Sequence, residues 1–181
     1  MKKLHIIVSL TLVVLSIILF IQLKEANKKI EIHKATELAI FRGAIHDYTN
    51  DLSFIGESLL AYRDDFTIEE NELYNQLLSS YSLRINRIGT RLIYIKHVNP
   101  TDSFIYEGYI HFIENLLSDE EFIIYTEVQK HEIGSILKKY GMEISNQFSG
   151  QIDYEDETKM KFLLEIISNM NEEISKVLNE A

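Results

Sequence analysis

The feature that most constrains this chain is an uncharged apolar run near its N-terminus, LHIIVSLTLVVLSIILFIQL, between Lys3 and Lys24. At about 1.5 Å of rise per residue, a helix of this length crosses a hydrocarbon core of roughly 30 Å. We therefore predict a transmembrane signal-anchor helix over residues 4–23, after a short basic tail at residues 1–3. The chain is expected to be a single-pass protein of the cell membrane.

A cleaved secretory signal is the main alternative, because a basic start and an apolar run also open such signals. The apolar core of a cleaved signal is usually about 7–15 residues long and ends in small residues at the cleavage site. This run is longer, and Ala26, the first alanine after it, has Lys24 two positions earlier. The absence of cysteine excludes a lipoprotein anchor and disulfides. An uncleaved anchor is therefore favoured.

The orientation of the anchor is not decided by counting charges. Lys2 and Lys3 precede the run and four lysines follow it closely, so the positive-inside rule favours neither sense clearly. The very short basic tail resembles the start of a signal sequence. For that reason we expect the large domain to be extracytoplasmic.

Composition limits what the rest of the chain can be. The 181 residues include 28 acidic and 18 basic side chains, a net charge of −10, which argues against general nucleic-acid binding. One proline and seven glycines leave little room for turns and predict few, long elements. The abundance of Ile, Lys, Asn and Glu is typical of bacteria with AT-rich coding.

Apolar residues then recur at alternating steps of three and four, a helical or coiled-coil period that a strand does not show. The first such seam is Leu38, Phe41, Ile45, Tyr48, Leu52, Ile55, Leu59 and Tyr62. Residues 24–37 are polar and lack Pro and Gly, so we predict a helical stalk there, continuous with the span. Residues 38–181 are predicted to form one bundle domain.

A capping-box pattern at Thr67 and Glu70 predicts the start of the second helix, and Pro100 predicts its end near Val98. Its predicted seam is Tyr74, Leu77, Tyr81, Ile85, Ile88, Leu92 and Ile95. A third helix is expected from Thr101 or Asp102, with Ile105, Tyr109, Phe112 and Leu116 on its seam.

A second capping-box pattern at Ser118 predicts a break and a new helix from Asp119. The predicted seam of this fourth helix is Phe122, Tyr125, Val128, Ile136, Leu137 and Tyr140. Gly141 after two lysines resembles a helix C-terminus, although the helix could continue to Phe148. The last seam is Met160, Leu163, Ile167, Met170, Ile174 and Val177.

Long helices joined by short loops pack antiparallel with their neighbours. The predicted fold is therefore all-α: an N-terminal transmembrane helix followed by an antiparallel up-down bundle of four to five long helices. This architecture resembles the sensing half of bacterial chemoreceptors and sensor kinases. Those chains return through a second span, and no second segment here is long and apolar enough, so we assign no family.

Two consecutive helices have opposite charge, which is the unusual feature of the domain. No Asp or Glu lies between Leu73 and Thr101, where Arg84, Arg87 and Arg91 fall, and no Lys or Arg lies between His97 and Gln129. One interpretation is that these helices are hairpin partners whose exposed charges attract. The other is that the three arginines form a basic stripe for an anionic ligand, lipid headgroup or partner.

Catalytic and metal-binding patterns are weak. There is no nucleophile elbow and no glycine-rich phosphate loop, so no catalytic residue, cofactor or enzymatic activity is expected. Glu107, His111 and Glu114 share a helix face, but the Glu-x-x-His motif of two-metal bundles is missing. No metal is expected, and a site at Glu107 and His111 is the weaker alternative.

Two functions remain. The first is a non-enzymatic interaction, accessory or sensor module that presents a helical face to another membrane or envelope protein, with self-association into a homo-oligomer as a further option. The second is a small-ligand receptor with a pocket between helices, lined by residues such as Tyr81, Arg84, Tyr106 and Tyr109.

Overall fold

The computed structural model describes residues 2–93, 100–118, 125–148 and 152–179. All regular secondary structure in these ranges is helical, as the apolar periodicity predicted. The five helices are α1 (Lys2–Leu60), α2 (Ile68–Ile93), α3 (Pro100–Ser118), α4 (Glu127–Phe148) and α5 (Glu157–Asn179). The chain divides into two compact units, Met1–Glu37 and Leu38–Ala181.

The first unit contains the apolar run. Its described apolar side chains, from Leu10 to Leu23, are all exposed. Within the described residues, α1 is the one helix long and apolar enough to cross a membrane, and none of its apolar window is buried. A core helix of a soluble protein would be covered, so this exposure is what a lipid-facing helix requires.

The second unit has one apolar core to which all five helices contribute. The predicted seam of α1 from Phe41 to Tyr62 is buried, and so is the predicted seam of α5 from Met160 to Val177. The core residues that are fully buried include Phe41, Tyr48, Leu52, Ile55, Leu59, Ile85, Ile110, Ile113, Ile133, Leu137, Leu163, Ile167, Met170 and Ile174.

The predicted capping box of α2 is confirmed by reciprocal hydrogen bonds. The Thr67 backbone N–H donates to Glu70 Oε2 at 2.8 Å, and the Glu70 N–H donates to Thr67 Oγ1 at 3.2 Å. α3 begins at Pro100, one residue earlier than expected, because proline is well tolerated in the first helical turn. The predicted end of α2 near Val98, and Ile95 on its seam, lie outside the described residues.

Two expected seams are shifted. Leu77 is exposed while its neighbour Leu78 is buried, and on α3 the fully buried residues are Ile110 and Ile113, whereas Phe112 is only half-buried. Adjacent apolar residues make the period ambiguous at both places. The side chains of Ile105 and Tyr109 lie outside the described residues.

α3 extends to Ser118, and the break predicted after it and the helix start predicted at Asp119 fall in residues 119–124, outside the described residues. α4 begins at Glu127, where Thr126 and Gln129 form a capping box: the Gln129 N–H donates to Thr126 Oγ1 at 3.3 Å. Val128 in this first turn is therefore exposed, contrary to the predicted seam. Asp119 and Phe122 lie outside the described residues.

Gly141 does not end a helix, since α4 continues to Phe148. A side chain at position 141 would meet α1: a Cβ there would lie 2.8 Å from Ser53 Oγ. The two lysines before it have partners other than a helix terminus. Lys138 pairs with Glu57 of α1 at 3.3 Å, and Lys139 pairs with Glu173 of α5 at 3.0 Å.

Candidate functional site: the surface shared by α1 and α2

The three arginines singled out by the charge pattern are all exposed on α2. Arg84 and Arg91 are two helical turns apart and both reach α1. Arg84 Nη2 lies 2.5 Å from Asp51 Oδ1, and Arg84 Nε donates to Asp51 Oδ2 at 3.2 Å. Arg91 Nη1 donates to Asp47 Oδ2 at 2.6 Å. Arg87 lies on the solvent side and has no ion-pair partner among the described residues.

The two ion pairs differ in their exposure. The Asp51 side chain is only 1% exposed, whereas the Asp47 side chain is 44% exposed. Burial raises the pKa of the Asp51 carboxyl, and the nearby Arg84 guanidinium opposes that rise. Arg84 therefore compensates a buried carboxylate, while the Arg91 pair is of the surface type that contributes about 0–1 kcal/mol.

The acidic third helix is bonded to α2 mainly through neutral groups in the described residues. Asn86 Nδ2 donates to Glu114 Oε1 at 2.6 Å, and Ser82 Oγ donates to the Glu114 backbone oxygen at 3.3 Å. α2 and α3 pack against each other, as the hairpin interpretation expected. Arg84 and Arg91 lie on the side of α2 that faces α1, and Ser82 and Asn86 lie on the side that faces α3. The side chains of Asp102 and Glu107 lie outside the described residues, so attraction between the exposed charges of the two helices stays a prediction.

Exposed apolar side chains flank these ion pairs. Phe54 follows Asp51 by three residues on α1 and is 50% exposed. Leu77 precedes Arg84 by two turns on α2 and is 41% exposed, and Leu73 one turn earlier is 66% exposed. We call this set the α1–α2 surface; it consists of Asp47, Asp51, Phe54, Leu73, Leu77, Arg84 and Arg91. It combines apolar side chains with internally neutralised charges.

Other residues considered from the sequence are placed as follows. Tyr81 is half-buried, with the Arg84 guanidinium 5.7 Å from its ring centroid, while the side chains of Tyr106 and Tyr109 lie outside the described residues. His111 Nδ1 contacts the Glu114 carboxylate, and the Glu107 side chain lies outside the described residues. In the described parts of the chain, no three His, Asp or Glu side chains converge as metal ligands.

A buried lysine was missed from the sequence. Lys130 on α4 is 2% exposed, and its Nζ lies 3.6 Å from the ring centroid of Tyr62. Burial lowers the pKa of Lys130, and the Asp64 carboxylate opposes that shift. His131 Nε2 donates to the Tyr62 carbonyl oxygen at 2.8 Å. The sequence does contain a signal for this burial, because Lys130 lies three residues before the buried Ile133 and so falls on the same face of α4.

Comparison of this chain with known protein families, with curated proteins and with solved structures finds no match.

Proposed function

We propose that this chain is a single-pass membrane protein whose bundle, residues 38–181, is extracytoplasmic and binds another membrane or envelope protein without catalysis. The observation that supports the anchor is the complete exposure of the apolar window of α1. Apolar side chains of this number, left uncovered by protein, are stable only when lipid or another apolar partner covers them. The α1–α2 surface is the proposed binding face.

We infer an antiparallel up-down order for the bundle. The register of the contacts between α1 and α2 supports this order, because Asp47 pairs with Arg91 while Asp51, four residues later, pairs with Arg84, seven residues earlier. As the residue numbers of the paired positions rise along α1, they fall along α2, so the two helices run antiparallel. Short connections between successive helices favour the same order.

The proposed binding face shares two features with the centre of an interface. Such centres are enriched in aromatic residues and Arg, while Asp, Glu and Lys are depleted there. Phe54 is the natural anchor side chain, because an exposed aromatic ring gains the most from being covered. The pairing of Arg84 and Arg91 with α1 lowers the cost of covering their charges and argues against a free anion-binding stripe.

The small-ligand receptor function has less support than the interaction module at the residues from which it was predicted. Arg84 is bonded to Asp51, and Tyr106 and Tyr109 lie outside the described residues. We therefore favour the interaction module.

The orientation of the anchor is tested by labelling single introduced cysteines. The chain has no cysteine of its own, so the introduced thiol is the only one that reacts. Ser118→Cys places one thiol at an exposed position in the bundle domain, and Lys3→Cys places one before the span. In intact cells a membrane-impermeant maleimide is expected to label the first variant and not the second. The reverse labelling pattern would overturn the extracytoplasmic assignment.

Partner binding is tested by photo-crosslinking in native membranes. A photoreactive amino acid at Phe54 or Leu77 is expected to give a discrete heavier adduct, and the same amino acid at exposed Lys161 of α5 serves as the matched control. An adduct of twice the chain's mass would identify a second copy as the partner. Adducts that are absent, or equal at Lys161, would contradict a specific face.

A further inference from the structure

We propose that a cleft between α1 and α4 binds a compact carboxylate with an apolar body. The cleft has a volume of about 270 Å³. It is lined by Arg42, Ile45, His46, Thr49, Ile144, Ser145, Phe148 and Ile152. This site is separate from the α1–α2 surface and from the cavity that the sequence suggested.

The walls of the cleft are largely apolar. Ile45, Ile144, Phe148 and Ile152 line it, and each is buried in the core. Apolar walls of this kind accept the body of a ligand and contribute most of its binding energy. The volume lies below the range of about 300–1,000 Å³ in which drug-sized ligands bind, so the ligand must be smaller.

The polar groups of the cleft favour an anion. Arg42 Nε donates to the Ile152 backbone oxygen at 2.8 Å, which fixes the guanidinium of this half-buried side chain at the cleft. None of the described residues pairs with its two terminal nitrogens, which leaves their N–H groups for a ligand. A planar guanidinium binds a carboxylate through two parallel hydrogen bonds.

Two further groups strengthen the preference for a negative charge. Asn50 Nδ2 lies 3.1 Å from His46 Nε2; with the amide as the donor, Nε2 accepts this bond and Nδ1 carries a ring proton and is a second donor. Ser145 is exposed at the rim and adds a hydroxyl donor. Among the described residues that line the cleft there is no Asp or Glu, and Arg42 carries the one permanent charge.

Binding is measured with sodium benzoate and the full chain in maltoside micelles, by saturation-transfer NMR with empty micelles as reference. Wild type is expected to bind benzoate and to bind benzyl alcohol, the neutral analogue, at least about tenfold more weakly. Arg42→Gln is expected to weaken benzoate binding at least about tenfold, and Arg42→Lys to give an intermediate loss.

Ser145→Phe provides a second variant that leaves Arg42 in place. The ring would fill the cleft from an exposed position, so benzoate binding should be lost while the melting temperature is unchanged. Ser135→Phe, also exposed on α4, is the matched control and should bind as wild type does. Three results would overturn the proposal. The first is that wild type does not bind benzoate. The second is that Arg42→Gln or Ser145→Phe binds benzoate as tightly as wild type does, and the third is that wild type binds benzyl alcohol as tightly as benzoate.

Discussion

At the residue scale, glycines set the distance between α1 and α4. A Cβ at Gly56 would lie 2.7 Å from the Gly134 carbonyl oxygen, and one at Gly134 would lie 2.8 Å from the Gly56 oxygen. Both contacts are with backbone atoms, which cannot rotate away. The sequence contains seven glycines, but only the packed helices show which of them face each other.

Substitution of these glycines tests the close packing. Gly56→Ala and Gly134→Ala are each expected to lower the free energy of unfolding by about 1–3 kcal/mol, because overpacking outweighs the gain in helix propensity. Gly43→Ala, on the same helix as Gly56 with nothing within 4 Å of the new Cβ, is the control. It should be neutral or stabilising by up to about 1 kcal/mol. Equal effects at positions 43 and 56 in thermal melts would contradict the close approach.

The two ion pairs of the α1–α2 surface should differ in their contribution to stability. Arg84→Ala leaves the buried Asp51 carboxylate without its ionic partner and is expected to cost about 1–3 kcal/mol. Arg91→Ala breaks an exposed pair and is expected to cost less than about 1 kcal/mol. Urea denaturation of both variants measures the difference, and a larger cost for Arg91→Ala would be inconsistent with the observed burial.

The penalty of Arg84→Ala should also depend on pH. The pKa of Asp51 is raised by folding, so protonation of this carboxyl favours the folded state as pH falls through that raised pKa. A neutral carboxyl needs no arginine. The penalty is therefore expected to shrink at acid pH and to be small at all pH values in the Asp51→Asn background.

At the element scale, the sequence predicted the buried face best for helices in which the apolar spacing marks one face clearly. The seams of α1 and α5 are confirmed because their spacing of three and four residues continues over several helical turns. The seam of α2 slipped at Leu77 and Leu78, two adjacent leucines between which periodicity cannot choose. The start of α4 at Glu127 was missed because the capping-box pattern at Thr126 and Gln129 was not recognised in the sequence.

The seam of α1 is tested by a pair of adjacent substitutions. Ile55→Asp places a charge at a position that is 0% exposed and is expected to prevent folding, since an unpaired buried charge costs more than most domains can tolerate. Phe54→Asp, one residue away and 50% exposed, should change stability by less than about 1 kcal/mol. Far-UV circular dichroism and melting distinguish the two variants, and a folded Ile55→Asp protein would refute the assigned core.

The contact between α4 and α5 predicts a second pH dependence. Tyr140 Oη donates to Glu173 Oε1 at 2.7 Å and Lys139 Nζ donates to the same oxygen at 3.0 Å, and these bonds lower the pKa of Glu173. A carboxylate with a lowered pKa stabilises the fold at pH values above its ordinary pKa, and this contribution is lost as pH falls through the folded value. Glu173→Gln should therefore show a smaller loss of stability between neutral and acid pH than wild type does.

At the scale of the whole molecule, the sequence predicted the all-helical class and a long apolar helix near the N-terminus, because both depend on patterns repeated over many residues. The candidate sites were harder to predict. The arginines were found by composition, but their carboxylate partners on α1 are 33 and 44 residues away in sequence. The cleft at Arg42 depends on a backbone oxygen of Ile152, which no side-chain pattern reveals.

The most direct test of the account is membrane fractionation of the full-length protein with N-terminal sequencing. The protein is expected to remain in the membrane pellet after high salt and alkaline carbonate and to keep its N-terminus, because the apolar window of α1 is uncovered by protein. A variant with Leu15→Lys and Ile18→Lys, which charges the centre of the run, should be released as soluble protein. A wild-type product that is soluble and starts near Ala26 or Asn27 would contradict the account.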